Sequence, residues 1–449
     1  MLSAYRDKQI YTLWPYNNNH TNFEIMLINA WYAGKVLFPE QFKDIDITDK
    51  ANEILTLYVG QPIADSLSQN WGNYGMFSIA MTRQQTKKVL MIFILPVIMN
   101  NDILIQYKKY RARNARFILI LIILLALIGL IALMAGFHTI SWHELWALIK
   151  GEGVEINRQI LLNIRLPRIL ATIITGIILS VSGAIMQTLL RNPLASPYTL
   201  GISNAAAFGA SFGIVFLGAG TSIVRSSDLF MITNPYVVTL SAFLGSLSGL
   251  GIILLITRVK QASVETIILS GVIINSFFGA GIAVMQYVAN NVQLASIIFW
   301  NFGDLGRSDW HKLIFLIIVL IPASIYFHYK RWDYKVLGSG DDYAQSMGVR
   351  PQRIRIIGLV ITSLITAVAV SFFGVIAFVG LVVPHIIRKF IGDNEEFLIT
   401  GSAVFGGMFL LLCDTVARTI ISPVILPVGI LTSFLGVPLF LFLLTRKKI

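Results

Sequence analysis

The sequence predicts an all-α polytopic membrane protein: about ten transmembrane helices with both ends cytoplasmic, preceded by a small partial soluble segment. Three observations predict it. The 449 residues are 55% hydrophobic and 13% charged, with mean hydropathy +0.72, too apolar for an ordinary soluble domain. The apolar residues gather in runs of about twenty, the length that crosses the bilayer hydrocarbon as a helix. The basic residues, which give a formal net charge of +12, fall mostly between those runs. Topology signals are distributed in this way, so the charge does not read as a nucleic-acid face.

Residues 1–85 are polar and aromatic, with NNNHTN at 17–22 and a loop-like SQNWGNYG at 68–75. The spacing predicts a helix over Asn22–Lys35. A second, capped by Thr48 or Asp49, runs to about Val59, with Gly60 and Pro62 as its stop. Two or three elements of this size bury too little surface for a secure independent fold. Met1–Ile10 has no apolar core behind its charges and does not read as a secretory signal.

Residues 86–116 are expected to form a linker and a basic juxtamembrane segment. Val89–Met99 is too short to span and reads as an interfacial helix. YKKYRARNAR at 107–116 is a dense basic cluster that holds its end of the first span in the cytoplasm and attracts anionic lipid. Residues 117–449 form the transmembrane domain, with spans expected at 117–136, 168–190, 199–218, 236–257, 264–288, 312–329, 354–371, 373–391, 398–418 and 427–445. Counting basic residues near span ends from Lys108 onward, placing both ends inside puts 19 in the cytoplasm and leaves 8 outside, the bias that sets orientation.

The chain is organised around residues 165–204, RLPRILATIITGIILSVSGAIMQTLLRNPLASPYTLGISN. Gly176, Ser180, Ser182 and Gly183 let a neighbouring helix approach this span closely. Arg165 and Arg168 mark its outer end, against the charge bias, and Arg418 the outer end of the ninth span. Such arginines either snorkel to headgroups or present a positive face to an acidic partner. Asp414 is an acid at a span edge, a transport-site candidate by default, with Arg418 one turn later as its natural partner.

Two other stretches stand out. The connection 330–353, KRWDYKVLGSGDDYAQSMGVRPQR, is long for a connector, and its short helix Asp341–Met347 opens on acidic residues and closes at Gly348 and Pro351. In SFFGVIAFVGLVVPHIIRKFIG at 371–392, Gly374, Gly380 and Pro384 predict close packing or a local break. His138 and His143, five apart, have poor spacing for chelation and read as surface residues. The single cysteine, Cys413, reads as a small buried hydrophobe. No phosphate loop of the form G-x-x-x-x-G-K-[ST], no HExxH and no GxSxG occurs, so nucleotide must come from another polypeptide and enzyme chemistry has no motif to stand on.

RLPR, SGAIMQ, RNPLASP, LGISNAAAFG, DDYAQSMG and FFGVIAFVGLVVPHIIR together resemble the permease subunits that import iron-siderophore, haem and cobalamin through ATP-binding cassette systems. The resemblance covers roughly residues 115–446. It implies that Arg165, Arg168 and Arg418 meet glutamates on an extracytoplasmic substrate-binding protein, and that the 330–353 loop, through Asp342, Ala344 and Gly348, sits in a cleft of a cytoplasmic ATPase subunit. It implies that Gly183, Pro193, Gly374, Gly380, Pro384 and His385 are structural motif positions, His385 not being a metal ligand. It also implies that a second copy of the permease completes the path, with no cofactor or resident metal. YN...TNFEIMLINAWYAGKVLFPEQFKDIDI resembles the closing passage of the binding proteins of the same importers. Residues 1–85 are then a remnant, with Met91 or Met99 nearer the working start.

The function expected is that of an iron-chelate (siderophore-type) importer permease in the cell membrane. Cobalamin or haem import is the alternative. An ion-coupled secondary transporter is a further one, which needs mid-membrane ionisable groups that the spans hardly contain.

Overall fold

The computed structural model describes residues 9–11, 32, 43–44, 46–59, 76–78 and 101–445, apart from 137, 220–233, 261–262, 393 and 423. The chain divides into two compact units, Met1–Gln106 and Tyr107–Ile449.

In the first unit, strand β1 (Gln9–Tyr11) pairs antiparallel with β2 (Met76–Ser78), Ile10 opposite Phe77. Helix α1 covers Ile47–Val59, where one was expected, but its cap is different. The Asp46 carboxylate accepts the backbone N–H groups of Thr48 at 2.7 Å and Asp49 at 3.1 Å. An aspartate placed just ahead of a helix satisfies its orphan donors better than residues already inside it. Ala51, Ile54 and Leu55 form the buried stripe of α1. The helix expected over Asn22–Lys35, the 68–75 loop and the interfacial stretch Val89–Met99 lie outside the described residues.

Helix α2 runs unbroken from Asn101 to Met134. The basic cluster at 107–116, expected as a juxtamembrane segment, is therefore the start of one long helix. It contains no glycine or proline, and arginine, lysine and alanine are good helix formers. Beyond it come α3 (Trp142–Lys150), α4 (Glu155–Gln159), a π-helical turn at Ile160–Arg165 and α5 (Leu166–Leu189). Next are α6 (Ile202–Phe216), α7 (Pro235–Lys260), α8 (Val264–Val288) and α9 (Asn291–Asn301). The chain continues with α10 (Trp310–Tyr329), α11 (Arg331–Gly338), α12 (Asp341–Ser346) and α13 (Pro351–Phe373). It ends with α14 (Val379–Ile391), α15 (Glu395–Thr419) and α16 (Val428–Thr445).

Every expected span falls on a helix. Among the described residues, seven helices are long and apolar enough to cross a membrane: α2, α4 to α5 as one run, α7, α8, α10, α13 and α15. Helix α6, at 15 residues, rises about 22 Å, less than the hydrocarbon thickness of about 30 Å.

Helix α5 is the axis of the bundle, buried along most of its length, with α10, α13, α14 and α15 packed around it. Glycine makes this possible. A Cβ on Gly183 would collide with the Gly380 carbonyl of α14, and one on Gly176 with the Gly406 carbonyl of α15. Backbones meet at these points with no side chain between them, the route by which membrane helices gain dispersion contact.

The span expected over 373–391 is a half-helix. Its first residues, Gly374–Phe378, leave the helical path: Gly374 has φ +78°, Phe378 has φ +67°, and α14 starts only at Val379. A side chain at Gly374 would strike the Trp300 carbonyl. The end of α13 just before this break is tied to the segment after α9, with the Asp304 N–H donating to Phe373 O at 2.7 Å. Irregular backbone at this depth persists because protein surrounds it.

Candidate docking and coupling surfaces

Two polar clusters close the opposite ends of α5. At its N-terminal end the π-helical turn sets Arg165 just ahead of α5, with Arg168 one turn on. Arg168 Nε lies 3.1 Å from both carboxylate oxygens of Asp414, and its Nη2 donates to Oδ1 at 2.7 Å. Arg418 Nε is 3.1 Å from Asp414 Oδ2, one helical turn along α15. The pairing of Asp414 with Arg418 was legible from spacing; the bidentate partner from α5 was not, because it comes from 246 residues away.

Arg165 and Arg418 have a second task. The last turn of α2 contains no basic residue, so its terminal carbonyls lack a cap of their own. Arg165 donates to Leu133 O, to Met134 O at 3.1 Å and to His138 O, while Arg418 donates to Ala132 O at 3.4 Å and Ala135 O at 3.5 Å. All three arginines are buried, at 5%, 8% and 7% exposure for Arg165, Arg168 and Arg418, and Asp414 is fully buried.

Further exposed charges at this end sit on the short helices. Arg158 and Glu155 on α4 pair at 3.8 Å in solvent. Helix α3 opens on a capping box in which Ser141 and Glu144 satisfy each other's backbone. The Ser141 backbone N–H holds the Glu144 carboxyl below the usual carboxylate range. His138, exposed, has Nε2 2.9 Å from Asn157 Oδ1, which joins α3 to α4 through the Asn157 bond to Glu144. The S-x-x-E of Ser141–Glu144, and the N-x-x-Q of Asn290–Gln293 that caps α9, were the signals that could have located α3 and α9.

At the other end, Arg355 of α13 is buried, 1% exposed. Its Nε donates to Leu189 O at 3.1 Å, capping α5, and its Nη2 to Asp341 Oδ1 at 2.9 Å and Oδ2 at 3.1 Å. Arg191, at φ +43°, approaches Asp341 Oδ1 at 3.5 Å. Asp341 thereby anchors the start of α12 to the end of α5. Gln187 bridges further, donating to Leu381 O and accepting from Arg388, both at 3.1 Å. Thr188 donates to Glu395 at 2.8 Å.

The 330–353 connection is two short helices on this platform. Ala344 faces the core and is fully buried, against Leu337 and Tyr334 of the same cluster. Asp342 and Gly348 are exposed, Gly348 at φ +80° where the chain turns from α12 toward α13. Tyr343 at 47% and Met347 at 59% exposure were not singled out from sequence and form the apolar part of the outward face. Pro193 lies exposed in the turn after α5, two residues beyond Arg191. Pro384 is buried within α14, and His385 is half-buried with its ring edge-on to Phe440, centroids 6.0 Å apart. Among the described residues, no three of His, Cys, Asp and Glu gather as a metal-holding group.

Residues 122–446 match the FecCD transport family. The chain belongs to that family. It is 48% identical over 345 residues to an ABC transporter permease protein of Methanocaldococcus jannaschii, covering 77% of this chain and 98% of the relative. It is 36% identical over 313 residues to the hemin transport system permease protein of Yersinia pestis, covering 70% and 90%. Other relatives are named for iron chelatin, cobalamin and molybdate. A solved metal-chelate type ABC transporter in an inward-facing conformation superposes with TM-score 0.65 at 28% identity, over 74% of this chain and all of that one. As a FecCD transport family member the chain is a multi-pass membrane permease of the ABC importer type. The family match begins well after residues 1–106, which it leaves unaccounted for.

Proposed function

We propose that this permease imports iron chelates, with α12 resting on a cytoplasmic ATPase subunit, a binding protein docking at the Arg168 end, and a second copy of the chain completing the path. The observation that carries the reading is the contrast between an exposed, core-anchored α12 and a closed, internally paired Arg168–Asp414–Arg418 cluster at the opposite end of α5. The first has the build of a lever: Asp341 is tied through Arg355 to the α5 C-terminus, so force on α12 reaches the axis of the bundle. In this reading Asp342, Tyr343, Met347 and Gly348 meet the ATPase, and Ala344 serves the fit of α12 onto its own platform.

The second shapes the docking face. Arg165, Arg168 and Arg418 hold α2, α5 and α15 together at that end, and an incoming carboxylate meets the exposed Arg158 and Lys150 first. An exposed pair contributes about 0 to 1 kcal/mol, so these charges set encounter rate and register more than affinity. Ion-coupled transport is disfavoured by Asp414 itself, whose two oxygens are both engaged by guanidinium groups.

The iron chelatin relatives support siderophore-type iron chelates as cargo; cobalamin or haem is the second reading, supported by the relatives named for cobalamin and hemin. Uptake of radiolabelled ferric siderophore, haem and cobalamin into proteoliposomes, with the cognate ATPase and binding protein, tests it. Siderophore uptake that needs ATP is the expected result, with a chain starting at Met99 performing equally. Uptake of haem or cobalamin alone overturns the cargo.

A further inference from the structure

Helices α10 and α15 both pack on α5, and between them lies a cleft of about 600 Å³. Its floor is Ile177 and Val181 of α5; its walls are Ile325 and Tyr329 of α10 and Ile399 and Ala403 of α15. The volume is in the range of ligand pockets, and the lining is almost wholly apolar. Elsewhere the lipid-facing surface is built of projecting side chains such as Leu119, Ile123 and Leu127 of α2.

The cleft has one polar end. His328 and Thr400 line it there. His328 Nε2 is 3.0 Å from Arg331 Nη1. Thr400 donates to the carbonyl of Glu396, whose carboxylate lies 3.6 Å from both Arg331 and Arg111. Lys330 adds a third cation, paired with Asp333 at 2.8 Å. Arg331 and Arg111 share the one carboxylate of Glu396, and Arg111 lies in the basic first turns of α2, which also expose Lys108, Lys109, Arg113 and Arg116. Tyr329 and Trp332, exposed at 77% and 59%, each lie under a lysine: Lys330 at 5.3 Å and Lys335 at 5.2 Å. Aromatic rings with a basic partner mark the headgroup level of a bilayer.

An apolar trough that opens at headgroup depth onto a cationic rim is complementary to one kind of molecule. We propose that the α5–α10–α15 cleft binds a single anionic phospholipid, an acyl chain along Ile177, Val181, Ile399 and Ala403 and the phosphate against Arg331 and Arg111. Basic pockets between membrane helices select anionic headgroups in this way. The site requires that the chain spans a membrane, and does not depend on which cargo is carried. Occupied, the lipid would brace α10, which leads into α11 and α12, against the α5 axis.

The test is native mass spectrometry of the full chain, purified in mild detergent and exposed to equal phosphatidylglycerol and phosphatidylcholine. The expected result is one retained phosphatidylglycerol per chain. Ala403→Trp, which fills the trough, abolishes retention. Arg331→Gln leaves the trough intact and lowers the preference about fivefold, the contribution of one basic residue near an anionic surface. Equal retention of the two lipids by the wild type, or an unchanged preference in Arg331→Gln, overturns the proposal. Loss of retention in Ala403→Trp counts only if its unfolding temperature matches the wild type; Arg331→Gln decides otherwise.

Discussion

The two ends of α5 solve the same problem in opposite ways. Each must cap a helix terminus in a place with little water, and each uses arginine. At the Arg168 end, three arginines and one aspartate are all buried, and the charges are spent on one another and on the carbonyls of α2. At the Asp341 end, one buried arginine, Arg355, holds an aspartate that is 35% exposed and is shared with Arg191. The first arrangement makes a rigid closure. The second makes a hinge-side anchor, leaving α12 free to present Tyr343 and Met347.

Substitutions can break this contrast, the largest effect first. Asp414→Asn removes the charge that two buried guanidinium groups share. Breaking a buried ion pair from one side costs about 3 to 5 kcal/mol, so thermal unfolding in detergent should show a large fall in stability. Little change would mean that the cluster is open to water. Gly183→Leu comes next in size: a side chain there meets the Gly380 backbone, and overpacking of this kind costs about 1 to 3 kcal/mol or more. Its signature is lost expression in the membrane fraction.

Arg355→Gln should cost less, about 1 to 3 kcal/mol for an unsatisfied buried carbonyl at Leu189, because Arg191 remains beside Asp341. ATPase activity of the reconstituted transporter should fall with it, through the loosened α12. Met347→Glu is expected to leave stability within about 0.5 kcal/mol while abolishing transport, which separates the coupling face from the scaffold. An equal loss of stability and transport would contradict that separation.

The smallest effect concerns pH. The Glu144 carboxyl is held low by the Ser141 N–H, so its contribution to the α3 cap is present above the unfolded carboxylate range. It is lost as pH falls through the lower folded value. Hydrogen exchange of α3 should therefore speed up in acid, and Glu144→Gln should remove that pH dependence.

The span positions were legible in the sequence because hydropathy dictates them: each expected span overlaps a helix, although 373–391 becomes helical only from Val379. The packing role of α5 was legible too, from its glycines and serines. What periodicity could not supply was partnership across the chain. The spacing of Asp414 and Arg418 announces a helical pair, but nothing local announces Arg168 as the bidentate partner or α2's carbonyls as the second customer of Arg418. The break at Gly374–Phe378 was marked by its glycine, yet Phe378 at positive φ carries no sequence signal. In the 330–353 loop the short helix was readable and its facing was not. Ala344 is turned inward and shares its core cluster with Leu337 and Tyr334, which leaves Tyr343 and Met347 outside.

The most direct measurement is site-specific crosslinking from each end. Cys413 is the only cysteine and is buried, so single cysteines at Met347 and Arg158 can be read cleanly in the assembled transporter. The account predicts that Met347→Cys crosslinks to the ATPase subunit and Arg158→Cys to the binding protein. Crosslinks in the reverse pattern, or Met347→Cys reacting only with lipid, would contradict the assignment of α12 as the coupling helix.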